Sequence, residues 1–317
     1  MSGPIEVAMV FAAGRGERMR PLSDAVPKPA LPLPDGPLVA SAIRMAVEVG
    51  VRALVVNTWH LAARMEAAVA RLPLGRCELR ISRETELMDT AGGLALAHRR
   101  GLLDGSGAVL VTNGDCRLRL DLEGLLDLHR RRGDLATLAL QPNPDPTRWS
   151  LVQVADEGRV ERILPPGAPD PGGQPYLYTG VMIVAREAVA SLPLAVGGVA
   201  ERLWSVALRQ GRLGAAVVSG SWSEVGDPRS YLATVLEVLG RRTAVDAGAA
   251  VGRGAEVVRS LIGVGGRVGD GAVVVDSVIA DGAAVGAGAQ VRGSVLLGAV
   301  EVEAGSEAEG IFRAALG

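Results

Sequence analysis

The chain has two cysteines (Cys77 and Cys116), three histidines and one lysine, Lys28, among 317 residues. Two cysteines cannot build a disulfide framework, and such sparse usage suits a reducing cytoplasm. No charged start followed by an apolar stretch marks a secretory signal. No apolar run approaches the roughly 20 residues needed to cross a bilayer. A soluble cytoplasmic protein with no membrane partner is therefore expected. Charge of one sign is also lacking: 33 basic and 35 acidic residues leave a formal net charge of −2. No global basic field draws nucleic acid. What remains is a globular chain long enough for a large core and more than one folding unit.

Of the 33 basic residues, 32 are arginine. Arginine, alanine, glycine and valine are abundant throughout, as in a general sequence bias. Against that background the lone ammonium of Lys28 stands out, since lysine offers a compact, flexible point charge where arginine offers a rigid planar fork.

From Val7 to about Leu239 short apolar runs alternate with helical periods. Strands are expected at Val7–Ala12, Ala53–Asn57, Glu78–Ser82, Ala108–Thr112 and Ala136–Leu140. Helices are expected at Leu38–Val49, His60–Leu72, Thr90–Arg100 and Leu122–Arg132. Such alternation implies βαβ units and a doubly wound, mixed but mostly parallel sheet, with ligands at the carboxyl ends of its strands.

From Ala244 onward proline, tryptophan and tyrosine vanish, and a repeat takes over. Val251-Gly-Arg-Gly, Val268-Gly-Asp-Gly, Val285-Gly-Ala-Gly and Val302-Glu-Ala-Gly recur every 17 residues. Six residues after the first three valines come Val257-Val258-Arg259-Ser260, Val274-Val275-Asp276-Ser277 and Val291-Arg292-Gly293-Ser294. One inward aliphatic and one turn glycine at a fixed period mark a solenoid, here a short left-handed parallel β-helix of hexapeptide repeats. The chain thus reads as residues 1–240 followed by a β-helix of residues 241–317.

The turn after the first strand carries the strongest chemical signal: Phe11-Ala12-Ala13-Gly14-Arg15-Gly16-Glu17-Arg18-Met19-Arg20-Pro21, then Pro27-Lys28-Pro29. Glycines at 14 and 16 remove Cβ atoms where backbone must approach a ligand. Consecutive amides in such a turn form an anion-binding nest. Arg15, Arg18, Arg20 and Lys28 add cationic side chains, and together these features read as a polyphosphate cradle.

These residues resemble the signature loop of the sugar-1-phosphate nucleotidyltransferases. The resemblance continues in Met88-Asp89-Thr90-Ala91-Gly92-Gly93-Leu94, Val111-Thr112-Asn113-Gly114-Asp115 and Trp222-Ser223-Glu224-Val225-Gly226-Asp227-Pro228. It implies transfer of a nucleotidyl group from a nucleoside triphosphate to a sugar 1-phosphate, with Mg²⁺ as cofactor and release of pyrophosphate. It further implies that Asp115 and Glu224 hold the metal, with Asp227 able to share the task. Arg18 and Lys28 would carry charge on the triphosphate. Ala12, Ala13, Gly14, Arg15, Gly16 and Gly93 would bind the nucleotide, Gly93 by letting the base approach the backbone; its other reading is helix packing. Thr179 and Gly180 either contact sugar hydroxyls or simply begin a strand.

Three departures from the family pattern bear on substrate. Glu224 stands where aspartate is usual. No second lysine exists for the sugar phosphate, leaving Arg162 to compensate. Arg148-Trp149-Ser150 replaces Arg-Tyr-Gly. The Phe-Ala-Ala-Gly and Gly-Glu-Arg-Met segments resemble N-acetylmuramate-1-phosphate uridylyltransferases. The two-part layout resembles mannose-1-phosphate guanylyltransferases over more of the chain, which favours GTP with mannose 1-phosphate. A catalytically silent regulator that binds nucleotide-sugar is the rival reading. All three histidines, His60, His98 and His129, precede the repeats, which argues against a β-helix acyltransferase; they are read as surface or helix residues without a role. The β-helix is expected to pack copies of the chain into a homo-oligomer.

Overall fold

The computed structural model describes residues 5–169 and 172–316. Its chain forms two compact units that interleave along the sequence. The first is Met1–Gly14, Ser41–Trp59 and Pro73–Ser223; the second is Arg15–Ala40, His60–Leu72 and Glu224–Gly317.

The first unit is an α/β sheet of the expected class. Strands β1 (Val7–Phe11), β4 (Ala53–Thr58), β5 (Glu78–Arg83) and β6 (Val109–Asn113) lie parallel in the order β6-β1-β4-β5. Their apolar residues are buried, as strands covered on both faces require. On the other side of β6 the sheet turns antiparallel through β11 (Tyr176–Val184), which also pairs with β8 (Ala136–Pro142) and meets the hairpin of β9 (Leu151–Val154) and β10 (Val160–Leu164). Strand β12 (Leu213–Val217) extends β8 in parallel. Strand β7 (Cys116–Leu120) pairs separately with β13 (Gly220–Glu224).

Helices α2 (Ala40–Glu48), α4 (Asp89–Arg99), α5 (Glu123–Arg132), α6 (Arg186–Ser191) and α7 (Ser205–Arg209) complete this unit. Its core holds Met9, Val55, Leu94, Val111, Leu138, Met182 and Trp204. Every helix and strand expected up to Leu140 is present within a few residues. Strand β11 begins at Tyr176, so Thr179 and Gly180 lie inside it, at a register shift between Tyr178 and Met182.

The second unit is the β-helix together with three segments from earlier in the chain. Three parallel sheets form its faces. The first contains β14 (Ala244–Val245), β17 (Leu261–Ile262), β20 (Val278–Ala280), β23 (Val295–Gly298) and β26 (Phe312–Ala315). The second contains β15 (Ala250–Val251), β18 (Arg267–Val268), β21 (Ala284–Val285) and β24 (Glu301–Val302), and the third β16 (Glu256–Val258), β19 (Val273–Val275), β22 (Gln290–Arg292) and β25 (Glu307–Glu309). The period of 17 seen in the sequence is the register itself, as in Leu261↔Val278↔Val295↔Phe312. Ile262, Ile279 and Leu296 point inward and are buried, as do Val268 and Val285, and Val274 and Val291. At a corner Ser260, Ser277 and Ser294 stack with no exposure, each hydroxyl accepting the amide 17 residues on. In the first coil the same inward phase places Val245 and Val251, which are 51% and 42% exposed because no preceding coil covers them.

Strands β2 (Pro32–Leu33) and β3 (Gly36–Pro37) and helices α1 (Leu22–Ala25), α3 (Ala62–Ala70) and α8 (Pro228–Leu239) belong to this unit. Met19, Leu22, Ala25, Leu31, Tyr231 and Val235 share one core with the outer side of the first sheet, Leu261, Val278, Val295 and Leu297. Among the described residues, no helix is long and apolar enough to cross a membrane.

Candidate functional site

In the first unit, the register of the parallel strands brings several candidates together. Phe11 is opposite Asn57 on one side and Asn113 on the other, so the carboxyl ends of β1, β4 and β6 are level. Two hydrogen bonds fasten the turns that follow. The Ala12 amide donates to Asn57 Oδ1 at 2.8 Å, and the Gly114 amide donates to the Phe11 carbonyl at 2.9 Å. Asp115 follows directly, half-buried, with the Cys116 thiol 3.6 Å from its Oδ1.

Gly93 belongs to the same cluster through packing. A Cβ there would lie 2.8 Å from Glu84 Oε1 and 3.0 Å from Asn57 Nδ2. Asn57 Nδ2 donates to Glu84 Oε1 at 2.8 Å, and the Met88 amide donates to Glu84 Oε2 at 3.0 Å. Both carboxylate oxygens thus accept, in a buried setting. Burial pushes the Glu84 carboxyl above its ordinary value, against the pull of those two bonds. The neighbouring Gly92 is required for a different reason: a Cβ would lie 2.6 Å from the Ala195 carbonyl oxygen. The Gly197 carbonyl accepts the Ala91 and Gly92 amides there, capping the start of α4.

Gly180 completes the cluster. Its φ of +86° is left-handed, and Asn113 side-chain atoms lie 3.0–3.1 Å from where its Cβ would be. Thr179 is fully buried within β11, and its hydroxyl donates to the Ala139 carbonyl at 2.9 Å. Arg162 is exposed on edge strand β10, separated from β6 by β9 and β11.

The second unit holds the cationic candidates of the turn after β1. Gly16 has φ +64°, and a Cβ on it would lie 3.2 Å from both Lys28 Cβ and Ser23 Cβ. The fold of this loop is therefore what demands glycine. The Ser23 hydroxyl donates to the Gly16 carbonyl at 2.8 Å, and His60 Nε2 donates to the Ser23 carbonyl at 2.7 Å. Lys28 is only 7% exposed, an unusual setting for an ammonium. Arg15 pairs with Glu17 at 3.6 Å on the surface.

Arg18 Nη2 donates to Glu224 Oε1 at 2.9 Å. Asp227 caps helix α8: its Oδ1 accepts the Ser230 amide at 2.9 Å, and its own amide donates to Ser230 Oγ. That reciprocal box explains an acidic residue ahead of Pro228 without a metal. Among the described residues no group of three or more His, Cys, Asp or Glu gathers to hold a metal ion. A Mg²⁺ site needs only one or two carboxylates, and Asp115 and Glu224 are hard oxygen donors of the right kind.

Sequence reasoning missed Asn57, Glu84 and Ser23, gave His60 no role, and quoted Asn113 only as part of the segment that ends in Asp115. Asn57 left a trace, as a polar residue closing an otherwise apolar strand. His129 is a helix residue as expected, but it is buried, with Nδ1 2.8 Å from Thr137 Oγ1. Burial pushes it down to about 4.

Comparison with known proteins adds three findings. Residues 7–240 match the family described as nucleotidyl transferase, and residues 240–309 match the family described as GlmU-like, C-terminal hexapeptide. The chain is 26% identical over 230 residues to the mannose-1-phosphate guanylyltransferase catalytic subunit beta of Danio rerio, covering 71% of this chain and 62% of that protein. It is 29% identical over 233 residues to the probable mannose-1-phosphate guanylyltransferase 1 of Oryza sativa subsp. japonica, with the same shares. The matched region thus spans 62% of the length of these curated relatives. Among solved structures, HddC from Yersinia pseudotuberculosis is alike in fold, with a TM-score of 0.62 at 17% identity over 74% of this chain and 99% of that one. A structure of HddC complexed with GMP-PN gives a TM-score of 0.61 at the same identity and shares.

Proposed function

Because the chain belongs to the nucleotidyl transferase family, we propose that it joins a nucleoside triphosphate to a sugar 1-phosphate. An oxygen of the sugar phosphate attacks the α-phosphorus, the bond from that phosphorus to the β-phosphate oxygen breaks, and pyrophosphate leaves. The observation that carries this reading is the cluster of Ala12, Gly93, Asn113–Asp115 and Gly180 at the level carboxyl ends of β1, β4 and β6, where sheets of this type take their ligands.

Each residue has a role that follows from its chemistry. The Ala12–Gly16 turn offers backbone amides to phosphate oxygens, and Asn57 and Glu84 hold its first amide in place. Lys28 and Arg18 supply positive charge to the triphosphate and the departing pyrophosphate. Asp115 and Glu224 are each assigned to Mg²⁺ by the family resemblance, and the ion when bound neutralises phosphate charge. Gly180 lets its backbone lie close against the Asn113 side chain and is assigned to the sugar, and Arg162 is assigned to the sugar phosphate. No protein nucleophile is needed.

The names of the relatives favour GTP with mannose 1-phosphate, and UTP with an amino-sugar 1-phosphate comes second. The open first coil at Val245 and Val251 supports association of copies through the β-helix. A pyrophosphate-release assay with Mg²⁺, run over five nucleoside triphosphates and several sugar 1-phosphates, tests the reading. Turnover of one pair well above the rest supports it. Tight nucleotide-sugar binding with no turnover of any pair replaces the enzyme by a regulator.

A further inference from the structure

The loop that carries Arg18 and Lys28 is built against the β-helix, within the second unit. Helix α1, between the two cations in sequence, lies on β26 and β23 at the far end of the repeat. Met19, Leu22, Ala25, Val26 and Leu31 bury themselves in one core with Leu261, Val278, Val295 and Leu297, and Phe312 packs against its margin. Tyr231 of α8, fully buried, donates its hydroxyl to the Pro32 carbonyl at 2.6 Å. A second brace runs through α3: Arg64 pairs with Asp281 at a corner of the β-helix, and the same helix packs on the turn Lys28–Ala30. Immediately before α3, His60 donates to the Ser23 carbonyl, and Ser23 in turn donates to the Gly16 carbonyl. Short, glycine-containing loops rich in like charge do not hold one conformation unaided. Here packed apolar side chains and a two-step hydrogen-bond chain supply the constraint.

We propose that the first sheet of the β-helix is the seat of the phosphate loop, with Phe312 and His60 as positioning residues that fix Gly16, Arg18 and Lys28 for the reaction. On this view the repeats are part of the catalytic apparatus of each chain, whatever they contribute to assembly. The inference rests on the transfer reaction proposed above for its kinetic consequences, but its structural half stands independently.

The test compares four full-length variants with wild type, well below their unfolding temperatures. Phe312→Ala removes the support under α1. His60→Leu removes the donor to Ser23, whereas His60→Gln restores an N–H near the position of Nε2. Val285→Ala weakens the interior of the β-helix at a distance from the loop. Phe312→Ala and His60→Leu are expected to lower kcat about tenfold or more and to raise KM for the triphosphate more than KM for the sugar phosphate, since small misplacements of charged groups are costly. His60→Gln should recover most of the loss, and Val285→Ala should stay within about twofold of wild type. Hydrogen exchange of the amides from Gly16 to Leu31 should accelerate in Phe312→Ala and His60→Leu only. Unchanged exchange in both variants overturns the seat, as does a kinetic loss in Val285→Ala equal to theirs. If wild type turns over no substrate pair yet exchange accelerates as stated, the reaction is wrong and the seat is right.

Discussion

Arg18 and Glu224, 206 positions apart in sequence, meet in a 2.9 Å hydrogen bond that closes the second unit's cationic loop onto its candidate metal carboxylate. Arg18 is 71% exposed and Glu224 17%, so the pair is worth no more than about 1 kcal/mol to the fold. Its interest is chemical: one carboxylate serves both a cation of the protein and, in the proposed reaction, a metal ion. Glu224→Gln keeps the shape and removes the charge. Turnover is expected to fall on the order of a hundredfold, with more Mg²⁺ needed for half-maximal rate and little change in melting temperature. Initial rates across a Mg²⁺ titration, with a thermal melt alongside, check this. An unchanged Mg²⁺ dependence would leave Glu224 as a partner of Arg18 alone.

Gly16→Ala tests the turn. The left-handed φ costs a non-glycine residue about 1–2 kcal/mol, and the added carbon presses on Lys28 Cβ and Ser23 Cβ at 3.2 Å. Stability by urea unfolding should drop by about that amount, and KM for the triphosphate should rise more than KM for the sugar phosphate. Gly14→Ala is the control, since a Cβ there has open space within 4 Å and no positive φ; it should unfold like wild type.

Gly93→Ala addresses the other unit. The new Cβ would meet Glu84 Oε1 at 2.8 Å and Asn57 Nδ2 at 3.0 Å, and both partners are buried and hydrogen-bonded. The collision costs about 1–3 kcal/mol and loosens Asn57 from the Ala12 amide. Calorimetric nucleotide binding should therefore weaken along with stability. Binding at wild-type strength in a measurably destabilised variant would separate Gly93 from the nucleotide.

The parallel half of the sheet was legible because buried strands and amphipathic helices alternate as far as Leu140. The β-helix was legible because its period of 17 is also its register. The antiparallel hairpin of β9 and β10 was not, and β11 was legible only from Thr179 on, as one of two readings, since an edge hairpin and a bulged strand break the simple period. The interleaving of the units lay beyond local pattern altogether: nothing in residues 15–40 says that their apolar side chains pack with a repeat more than two hundred positions later, or in residues 60–72 that Arg64 pairs with Asp281. Of the candidate residues, Asp227 carried a readable capping signal in the order Asp227-Pro228-Arg229-Ser230. The network of Asn57 and Glu84 depends on strand register and left almost none.

The serine stack offers a test of the repeat itself. Ser277 Oγ accepts the Ser294 amide at 3.1 Å and donates to the Val275 carbonyl at 2.7 Å. Ser277→Ala strands the Ser294 amide in a fully buried corner, which costs about 2 kcal/mol. The Val275 carbonyl keeps the Gly293 amide as a partner. Urea unfolding should register the loss. A variant as stable as wild type would show that the corner admits water to replace the hydroxyl.

His129 makes the stability of the first unit depend on pH. The imidazole is buried, and its pKa falls from an ordinary 6.5 to about 4 because burial disfavours the charged ring. The folded state therefore binds its proton less readily than the unfolded chain does. The resulting stability is complete above pH 6.5 and is lost as pH falls through the window down to about 4, amounting to about 2 kcal/mol already gone at pH 5. Asp134 and Glu84 act in the opposite sense. Burial raises both carboxyls, so their protonation on acidification favours the fold. Wild type alone would mix the two effects, and the comparison is made with His129→Asn, whose amide can reach Thr137 without titrating. Unfolding free energies at pH 7.5 and pH 5 should show a decline in wild type that exceeds the variant's by about 2 kcal/mol. Equal declines would mean that His129 takes up its proton inside the fold, and that the pocket against Thr137 opens to water in solution.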